Sequence, residues 1–191
     1  MESCKESPIP MATNCYLDVD EAETTVDQTK YQGMIGSLLY LTTSHQNIMH
    51  NVCVCVRFQS CPKESHLIVV KRILKYLKGT RNLGLWYPRG ANILLTRYND
   101  LDFGGCKTDR KSTSGNCHLL GCSLVSWHSK KQACVSLSTI EVEYIVVGNY
   151  CAQSIWIKNQ LEDYDIHLEQ IPLKCDNISA INLIKKSCFA L

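Results

Sequence analysis

The protein has 191 residues, of which 45% are hydrophobic and 20% are charged, and its formal net charge is +2. A chain of this length can bury a core as one ordinary domain or as two small ones. The near-neutral charge gives no general affinity for nucleic acid, so nucleic-acid binding would need a local basic patch. No apolar run reaches the roughly 18 residues of a membrane helix, and the N-terminus lacks the apolar core of a signal peptide. We therefore expect neither a membrane protein nor a secreted one.

The twelve cysteines are expected to be reduced thiols. Without an export signal the chain should stay in the cytoplasm or the nucleus, where thiols are kept reduced. The pairs Cys53–Cys55 and Cys117–Cys122 do not follow the C-x-x-C spacing typical of structural zinc sites. The default interpretation is therefore that these cysteines pack in a core.

The N-terminal part of the chain is predicted to be helical after a polar lead-in. Residues 1–29 contain prolines and an acidic cluster, which is typical of a flexible or extended segment. Residues 30–88 repeat apolar side chains at helical spacing and should form a small helical region. Three helices are predicted there: one starting near Tyr31, one over Asn47–Ser60, and one from Lys63 to Gly79.

After the break at Tyr87–Asn92 the apolar period shifts toward two, which is typical of strands. The predicted elements are strands at 93–100, 115–121 and 123–129, a helix from Thr139 to about Asp163, a strand at Ile171–Cys175 and a helix at 176–186. This β-β-β-α-β-α order over residues 92–191 predicts a mixed sheet with helices packed on it, in the α+β or α/β class.

Three acids stand at element boundaries of this second half. Asp100 follows the first strand, Glu141 begins the long helix, and Asp176 follows the later strand. Carboxylates without histidine or cysteine partners suit Mg²⁺, which takes oxygen ligands. Each acid also has an ordinary structural explanation. Asp100 and Asp102 could form a turn, and Asp176 could cap the following helix.

Glu141 has two competing interpretations. Ser138 lies three residues earlier, so the pair could form a capping box at the start of the helix. Against this, Glu141 begins the series Ile145, Gly148, Ala152, which we expect to face inward, and an inward carboxylate needs a partner or a metal. Glu143 instead leads toward Val147, Tyr150 and Ser154, a more mixed face.

Basic residues fall in two further places. They either lie on a solvated surface or contact the phosphate groups of a nucleic acid, and lysines close to hydroxyl side chains suit phosphate oxygens. One group is on the third predicted helix, and the other is in the second half, in a loop rich in hydroxyl residues and just after Trp127. The candidates are Lys71, Lys75, Lys78, Lys107, Arg110, Lys111, Lys130 and Lys131.

Several ordered motifs together resemble the C-terminal part of the Pol polyprotein of copia-type LTR retrotransposons. They are "YQGMIGSLLYLTTS", "PKESHLIVVKRILKYLKGT", "GLWYPRG", "DRKSTSG", "SLVSWHSKKQ", "LSTIEVEY" and "CDNISAI". The resemblance runs from about Pro10 to Ile184. It implies that residues 30–88 correspond to the end of the reverse transcriptase, its thumb or connection region, and that residues 92–191 correspond to a ribonuclease H-like domain.

The resemblance also implies a chemistry. Such a domain cuts the RNA strand of an RNA–DNA hybrid by two-metal phosphodiester hydrolysis with Mg²⁺, or with Mn²⁺ in its place. The family's Y-S-D-A-D stretch corresponds to "YNDLD" and assigns Asp100 as a catalytic metal ligand. Its S-x-x-E-A-E-Y motif corresponds to "STIEVEY" and assigns Glu141, and "CDN" assigns Asp176. The implied location is cytoplasmic, in a virus-like particle, or nuclear, and the partner is the hybrid or another nucleic acid. No oligomeric state is implied.

The sequence also departs from the family pattern. The polymerase palm lies upstream of the matched region, so no polymerase activity is expected. After "AINLIKK" the family continues through an asparagine–proline step and an R-T-K-H-I-D stretch, whereas this chain ends in "SCFAL". A C-terminally truncated sheet that lacks a fourth acidic ligand is therefore expected. The alternative to a hybrid-cleaving nuclease is a non-catalytic retrotransposon remnant that at most binds nucleic acid weakly.

Overall fold

A computed structural model of the protein describes residues 4–13, 15, 17–19, 22–90, 93–102, 105–106, 109–133, 135, 138–168, 171 and 173–174. For residues 100–102, 139–140, 142–150 and 173–174 it describes the backbone alone. The chain divides into two compact units, Met1–Gly84 and Leu85–Leu191. Each unit is described by itself below.

The first unit is helical, as its apolar periodicity predicts. Its helices are α1 (Gln28–Leu41), a short 3₁₀ helix (Gln46–Ile48), α2 (Met49–Val56) and α3 (Glu64–Gly79). Helix α1 begins three residues before the predicted start at Tyr31. The reason is a cap, because the Asp27 carboxylate accepts a hydrogen bond from the Lys30 N–H at 3.1 Å.

The three helices share one apolar core. It is built from Tyr31, Ile35, Leu38, Ile48, Val52, Cys55, Leu67, Val69, Val70 and Ile73. The Tyr31 hydroxyl donates to the Cys55 carbonyl at 3.0 Å, which satisfies the one polar atom of a buried ring. Burial raises the pKa of the Cys55 thiol to about 12. Cys55 is therefore a protonated core side chain, as expected from its place in an apolar helix.

His66 joins the start of α3 to the polar lead-in. Its Nδ1 accepts the Lys63 N–H at 3.0 Å, so the ring caps the helix, and its Nε2 then donates to the Asp18 carbonyl at 2.9 Å. The ring is fully buried and stacks on Phe58 with ring centroids 4.0 Å apart. A single imidazole thus satisfies one backbone donor and one backbone acceptor inside the core.

The rest of the lead-in follows α3 along its length. The Ser7 N–H donates to the Lys75 carbonyl at 3.4 Å, Arg72 Nε donates to the Ile9 carbonyl at 3.3 Å, and Lys78 Nζ donates to the Cys4 carbonyl at 2.9 Å. Near Pro62 the backbone of residues 24–26 pairs with the chain that enters α3. The lead-in is therefore extended, and its own backbone groups hold it against α3. Every residue type has such groups, so the amino-acid sequence contains no pattern that predicts this contact.

The described residues of the second unit form a four-stranded mixed sheet and one long helix, α4. The strands are β1 (Leu95–Asp102), β2 (Thr113–Leu120), β3 (Ser123–Lys131) and β4 (Leu173–Lys174), in the spatial order β3-β2-β1-β4. Strands β1, β2 and β3 pair antiparallel, whereas β4 pairs parallel to β1. The molecule is of the α+β class, as expected.

Strands β2 and β3 form a tight hairpin whose loop is Gly121–Cys122. Gly121 has φ +63°, and Leu120 pairs directly with Ser123. A positive φ at the first loop position is typical of a type II′ turn, which favours glycine there.

Helix α4 spans Thr139–Glu162, within one residue of its predicted end. The helix predicted at 176–186 lies outside the described residues. Among the described residues no helix is both long and apolar enough to cross a membrane.

The core of the first unit gives a stability test on one helix. Ile73 is fully buried in α3, whereas Ile68 on the same helix is 57% exposed. We expect Ile73→Ala to lower the free energy of unfolding by about 2–5 kcal/mol, because it removes buried methyl groups and leaves a cavity. The matched change Ile68→Ala should cost less than about 0.5 kcal/mol. Urea unfolding followed by circular dichroism measures both, and equal losses would contradict this assignment of the core.

Candidate functional site

The first predicted acid lies on the strand that joins the two halves of the sheet. Strand β1 is flanked by β2 and β4, and the backbone of Asp100 pairs with Gly115 of β2. On its other side β1 pairs in parallel with β4 through Arg97–Leu173 and Tyr98–Lys174. The side chain of Asp100 and the whole of Asp176 lie outside what the structure describes.

Glu141 lies in the first turn of α4. The Ser138 hydroxyl accepts a hydrogen bond from the Glu141 N–H at 3.2 Å, so Ser138 is the N-cap of the helix. The Glu141 side chain is exposed. A carboxylate at this position also interacts favourably with the positive end of the helix dipole. Of the two competing interpretations of this position, the N-cap by Ser138 is present.

The prediction that the Glu141 series of α4 faces inward is wrong. The series that begins at Glu141 was expected to face inward, but its described member Ala152 is exposed, as is Glu141 itself. Ser154, which belongs to the alternative series from Glu143, is only 4% exposed, and Ile157 one turn further on is 7% exposed. The helix thus turns a serine toward the sheet, a choice that apolar periodicity cannot predict.

Ser154 faces the sheet because it belongs to a buried polar cluster that joins α4 to the strands. Arg97 Nη1 of β1 donates to the Ser154 hydroxyl at 2.8 Å, and His118 Nε2 of β2 lies 3.2 Å from the same oxygen. Arg97 is 4% exposed and His118 is fully buried. Burial, followed by the positive charge of Arg97, lowers the pKa of His118 below its ordinary value. His118 is therefore neutral at pH 7.

Sequence reasoning missed this cluster. Arg97 and His118 occur in the middle of predicted strands and pair directly across β1 and β2. Two strongly polar residues at facing positions of two interior strands are the signal that could have indicated it, because such residues are rarely buried without partners.

The basic residues predicted on α3 contact other parts of the same unit. Lys71 Nζ lies 3.6 Å from the Glu64 carboxylate. Lys78 donates to the carbonyl of Cys4, and the Lys75 carbonyl accepts the Ser7 N–H. The lead-in thus lies along the part of α3 that carries Lys75 and Lys78.

In the second unit Asp109 brings two of the predicted cations together. Its carboxylate lies 2.8 Å from Lys131 Nζ and 3.9 Å from Lys111 Nζ. Arg110, next to it, has φ +55° and donates its N–H to the Cys106 carbonyl at 2.8 Å. Lys130 is exposed and pairs with Ser114 across the hairpin. Lys107 lies outside the described residues.

The predicted ligand set is chemically consistent with a hard cation. Asp100, Glu141 and Asp176 offer carboxylate oxygens alone, which Mg²⁺ prefers and which Mn²⁺ also accepts. Within the described part of the chain, no three histidine, cysteine, aspartate or glutamate side chains form a group able to hold a metal. Of the three predicted acids, the side chain of Glu141 alone belongs to that part.

Comparison with known proteins relates the chain to transposon polyproteins. It is 37% identical over 190 residues to the retrovirus-related Pol polyprotein from transposon RE1 of Arabidopsis thaliana, and 34% identical over 196 residues to that from transposon TNT 1-94 of Nicotiana tabacum. A third such polyprotein, from transposon RE2 of Arabidopsis thaliana, is 34% identical over 190 residues. Each comparison covers 99% of this chain.

The chain belongs to the retrovirus-related Pol polyproteins of copia-type transposons. It spans 13% to 15% of the length of these relatives. No protein-family profile matches the chain, and no solved structure matches it. The copia-type resemblance of the sequence motifs is therefore confirmed.

The Asp109–Lys131 pair gives a pH-dependent test. The hydrogen bond from Lys131 is the main cause that lowers the pKa of Asp109 from 3.8 to about 2. Because this pKa is lower in the folded state, the stabilisation is complete at pH values above about 4 and is lost as the pH falls toward 2. Since the carboxylate is about a third exposed, we expect Asp109→Asn to cost about 0.5–1 kcal/mol at pH 7.

Urea unfolding at pH 7, 5, 4 and 3 measures this difference, which should shrink below pH 4. Asp163→Asn is the matched control, because the Asp163 carboxylate meets the neutral Gln160 amide at 3.4 Å. The stability difference between wild type and Asp163→Asn should not change between pH 7 and pH 3. A constant difference between wild type and Asp109→Asn from pH 7 to pH 3 would contradict the ion pair.

Proposed function

We propose that the Leu85–Leu191 unit is a ribonuclease H-type domain that cuts the RNA strand of RNA–DNA hybrids in the presence of Mg²⁺ or Mn²⁺. Membership of the copia-type Pol family supports this proposal. So does the element order β-β-β-α-β, in which the chain crosses through α4 to a strand parallel to β1. The parallel pairing of β1 and β4 is the main support, because Asp100 lies on β1 and Asp176 follows β4 by two residues in the sequence.

Asp100 and Asp176 have matching places in the sequence relative to the paired residues of β1 and β4. Tyr98 pairs with Lys174, and each acid follows its member of that pair by two residues in the sequence. Residues equally far along parallel strands stay side by side as long as the pairing continues. We infer that both carboxylates lie at the same end of the sheet, where ligands of open mixed sheets bind.

The third ligand comes from the first turns of α4. The family motif assigns Glu141, which is exposed and lies in the capped turn. Two residues later, Glu143 precedes Ser154 by eleven residues, which is about three helical turns. Ser154 is buried against the sheet. We therefore favour Glu143 as the glutamate closer to the sheet, and we keep Glu141 as the assignment by motif.

In this proposal the three carboxylates hold the cations and the basic residues of the second unit contact the nucleic acid. The cations would stabilise the negative charge that develops on the scissile phosphate. The carboxylates fix their position through oxygen atoms alone, with no histidine that would select a softer metal. Cleavage would leave a 3′-hydroxyl and a 5′-phosphate.

A cleavage assay with matched variants tests the proposal. Purified protein is incubated with an RNA–DNA hybrid labelled on the RNA strand, with Mg²⁺ or with Mn²⁺. Wild type should cut the RNA strand, and Asp100→Asn should lower the rate by about 100-fold or more, because it removes a charged metal ligand. Glu143→Gln should cause a similar loss, whereas Glu141→Gln should keep most of the activity. The reverse result for the two glutamates would restore Glu141 as the ligand.

The alternative function is a non-catalytic remnant that binds nucleic acid weakly. It predicts that wild type and Asp100→Asn cut the hybrid equally little under both metals, and that result would end the nuclease proposal for this chain. Binding that weakens steeply as salt is raised would then identify the remaining activity as electrostatic contact with phosphates.

A further inference from the structure

A polar cavity lies between the hairpin of β2 and β3 and the middle of α4. Its volume is about 290 Å³, close to the lower limit of roughly 300 Å³ for small-molecule sites. It is lined by Ser114, Asn116, Ser126, Trp127, His128, Lys130 and Gln153. We call it the β2–β3 groove.

The strand register explains why this face is polar. Ser114 pairs with Lys130, Asn116 with His128, and His118 with Ser126, so every second residue of both strands lies on one face. His118 contacts Ser154, which makes this the face that α4 covers. An ordinary sheet would turn apolar side chains toward its helix.

Polar atoms beneath and beside the groove lack partners within the described part of the chain. They are Arg97 Nε, Asn99 Oδ1, Asn116 Oδ1 and His118 Nδ1, all buried. Asn99 pairs with Asn116 and Arg97 pairs with His118 across β1 and β2, so the four atoms belong to two neighbouring cross-strand pairs. Buried polar atoms normally have partners, so this region is built to hold water or a polar ligand.

The charge of the groove selects the ligand. Lys130 is exposed at the lining, and the described residues of the lining include no carboxylate. The hydroxyl of Ser126 and the amides of Asn116 and Gln153 add neutral hydrogen-bond donors, whereas the Ser114 hydroxyl donates to the Lys130 carbonyl at 3.3 Å. A cation surrounded by neutral donors is the arrangement that binds phosphate oxygens.

We propose that the β2–β3 groove binds one sugar-phosphate unit of a nucleic-acid strand, with Lys130 pairing with the phosphate. The proposal rests on the proposed function in taking nucleic acid as the substrate class, and it adds a contact outside the three acids. Lys130 and His128 are both exposed, so this side of the groove is accessible from solvent. A free nucleotide shares this phosphate chemistry, and the experiment separates the two.

Binding is measured by fluorescence anisotropy with a labelled 12-base-pair RNA–DNA hybrid in EDTA, at several salt concentrations. We expect Lys130→Gln to weaken binding about fivefold or more and to reduce the salt dependence by about one phosphate contact. Lys158→Gln is the matched control, since Lys158 is a lysine of the same unit that lies 3.8 Å from the Glu162 carboxylate. It should change the Kd less than about twofold.

A double variant, Ser114→Ala with Ser126→Ala, keeps every charge and tests the hydrogen bonds of the groove. It should weaken hybrid binding about threefold or more without changing the salt dependence. Circular dichroism and thermal unfolding establish that each variant folds. If Lys130→Gln behaves like Lys158→Gln, or if the double serine variant binds as wild type does, the groove is not a binding site.

Two further measurements distinguish a strand-binding groove from a free-nucleotide site and from the nuclease function. Adenosine monophosphate at millimolar concentration should not displace the hybrid, and displacement would overturn the strand proposal in favour of a free nucleotide site. Cleavage is assayed separately on wild type and on Asp100→Asn, which should cut the hybrid about 100-fold more slowly. Groove-dependent binding without cleavage would overturn the nuclease function and keep the groove, whereas cleavage with groove-independent binding would overturn the groove alone.

Discussion

The second unit depends on how one serine of α4 meets the sheet. Ser154 accepts a hydrogen bond from Arg97 at 2.8 Å and lies 3.2 Å from His118, and all three side chains are buried. A buried guanidinium is costly unless its N–H groups find acceptors, so this contact restricts which face of α4 can turn toward the strands. It also fixes the rotation of α4 about its axis, and therefore the face of the helix on which each of its residues lies.

The basic residues of the chain differ in how readily they could contact a phosphate. Lys75 and Lys78 lie where the lead-in follows α3, and Lys131 lies 2.8 Å from Asp109. Lys78 and Lys131 would each have to exchange a side-chain contact within their own unit for a phosphate. Lys130 differs, because it is exposed at a cavity whose other polar groups are neutral. A near-neutral chain can thus offer a phosphate site without a broad basic surface.

Much of this architecture could be predicted from the sequence. Apolar periodicity predicted α3, whose observed span is Glu64–Gly79, and turn residues separated the three antiparallel strands in the correct order. The inward face of α4 could not be predicted, because apolar side chains occur on several of its faces and one of its buried residues, Ser154, is a serine. The docking of the lead-in was equally hidden, since it uses backbone carbonyls. Of the acids, Asp100 lies near the end of β1 and Glu141 lies in the first turn of α4, where the sequence places them, and Asp176 lies outside the described residues. The proposed convergence of their carboxylates depends on side chains that no periodicity describes.

The central claim is that three acids distant in the sequence meet at one end of the sheet. Titration of ¹⁵N-labelled protein with Mn²⁺ tests it most directly, because a bound paramagnetic ion broadens the amide signals of nearby residues. If the three acids meet, signals of residues near Asp100, near Asp176 and in the first turns of α4 broaden together at low Mn²⁺, and Asp100→Asn abolishes the effect. Broadening that is centred on Asp109, or that spreads evenly over the surface, would contradict it.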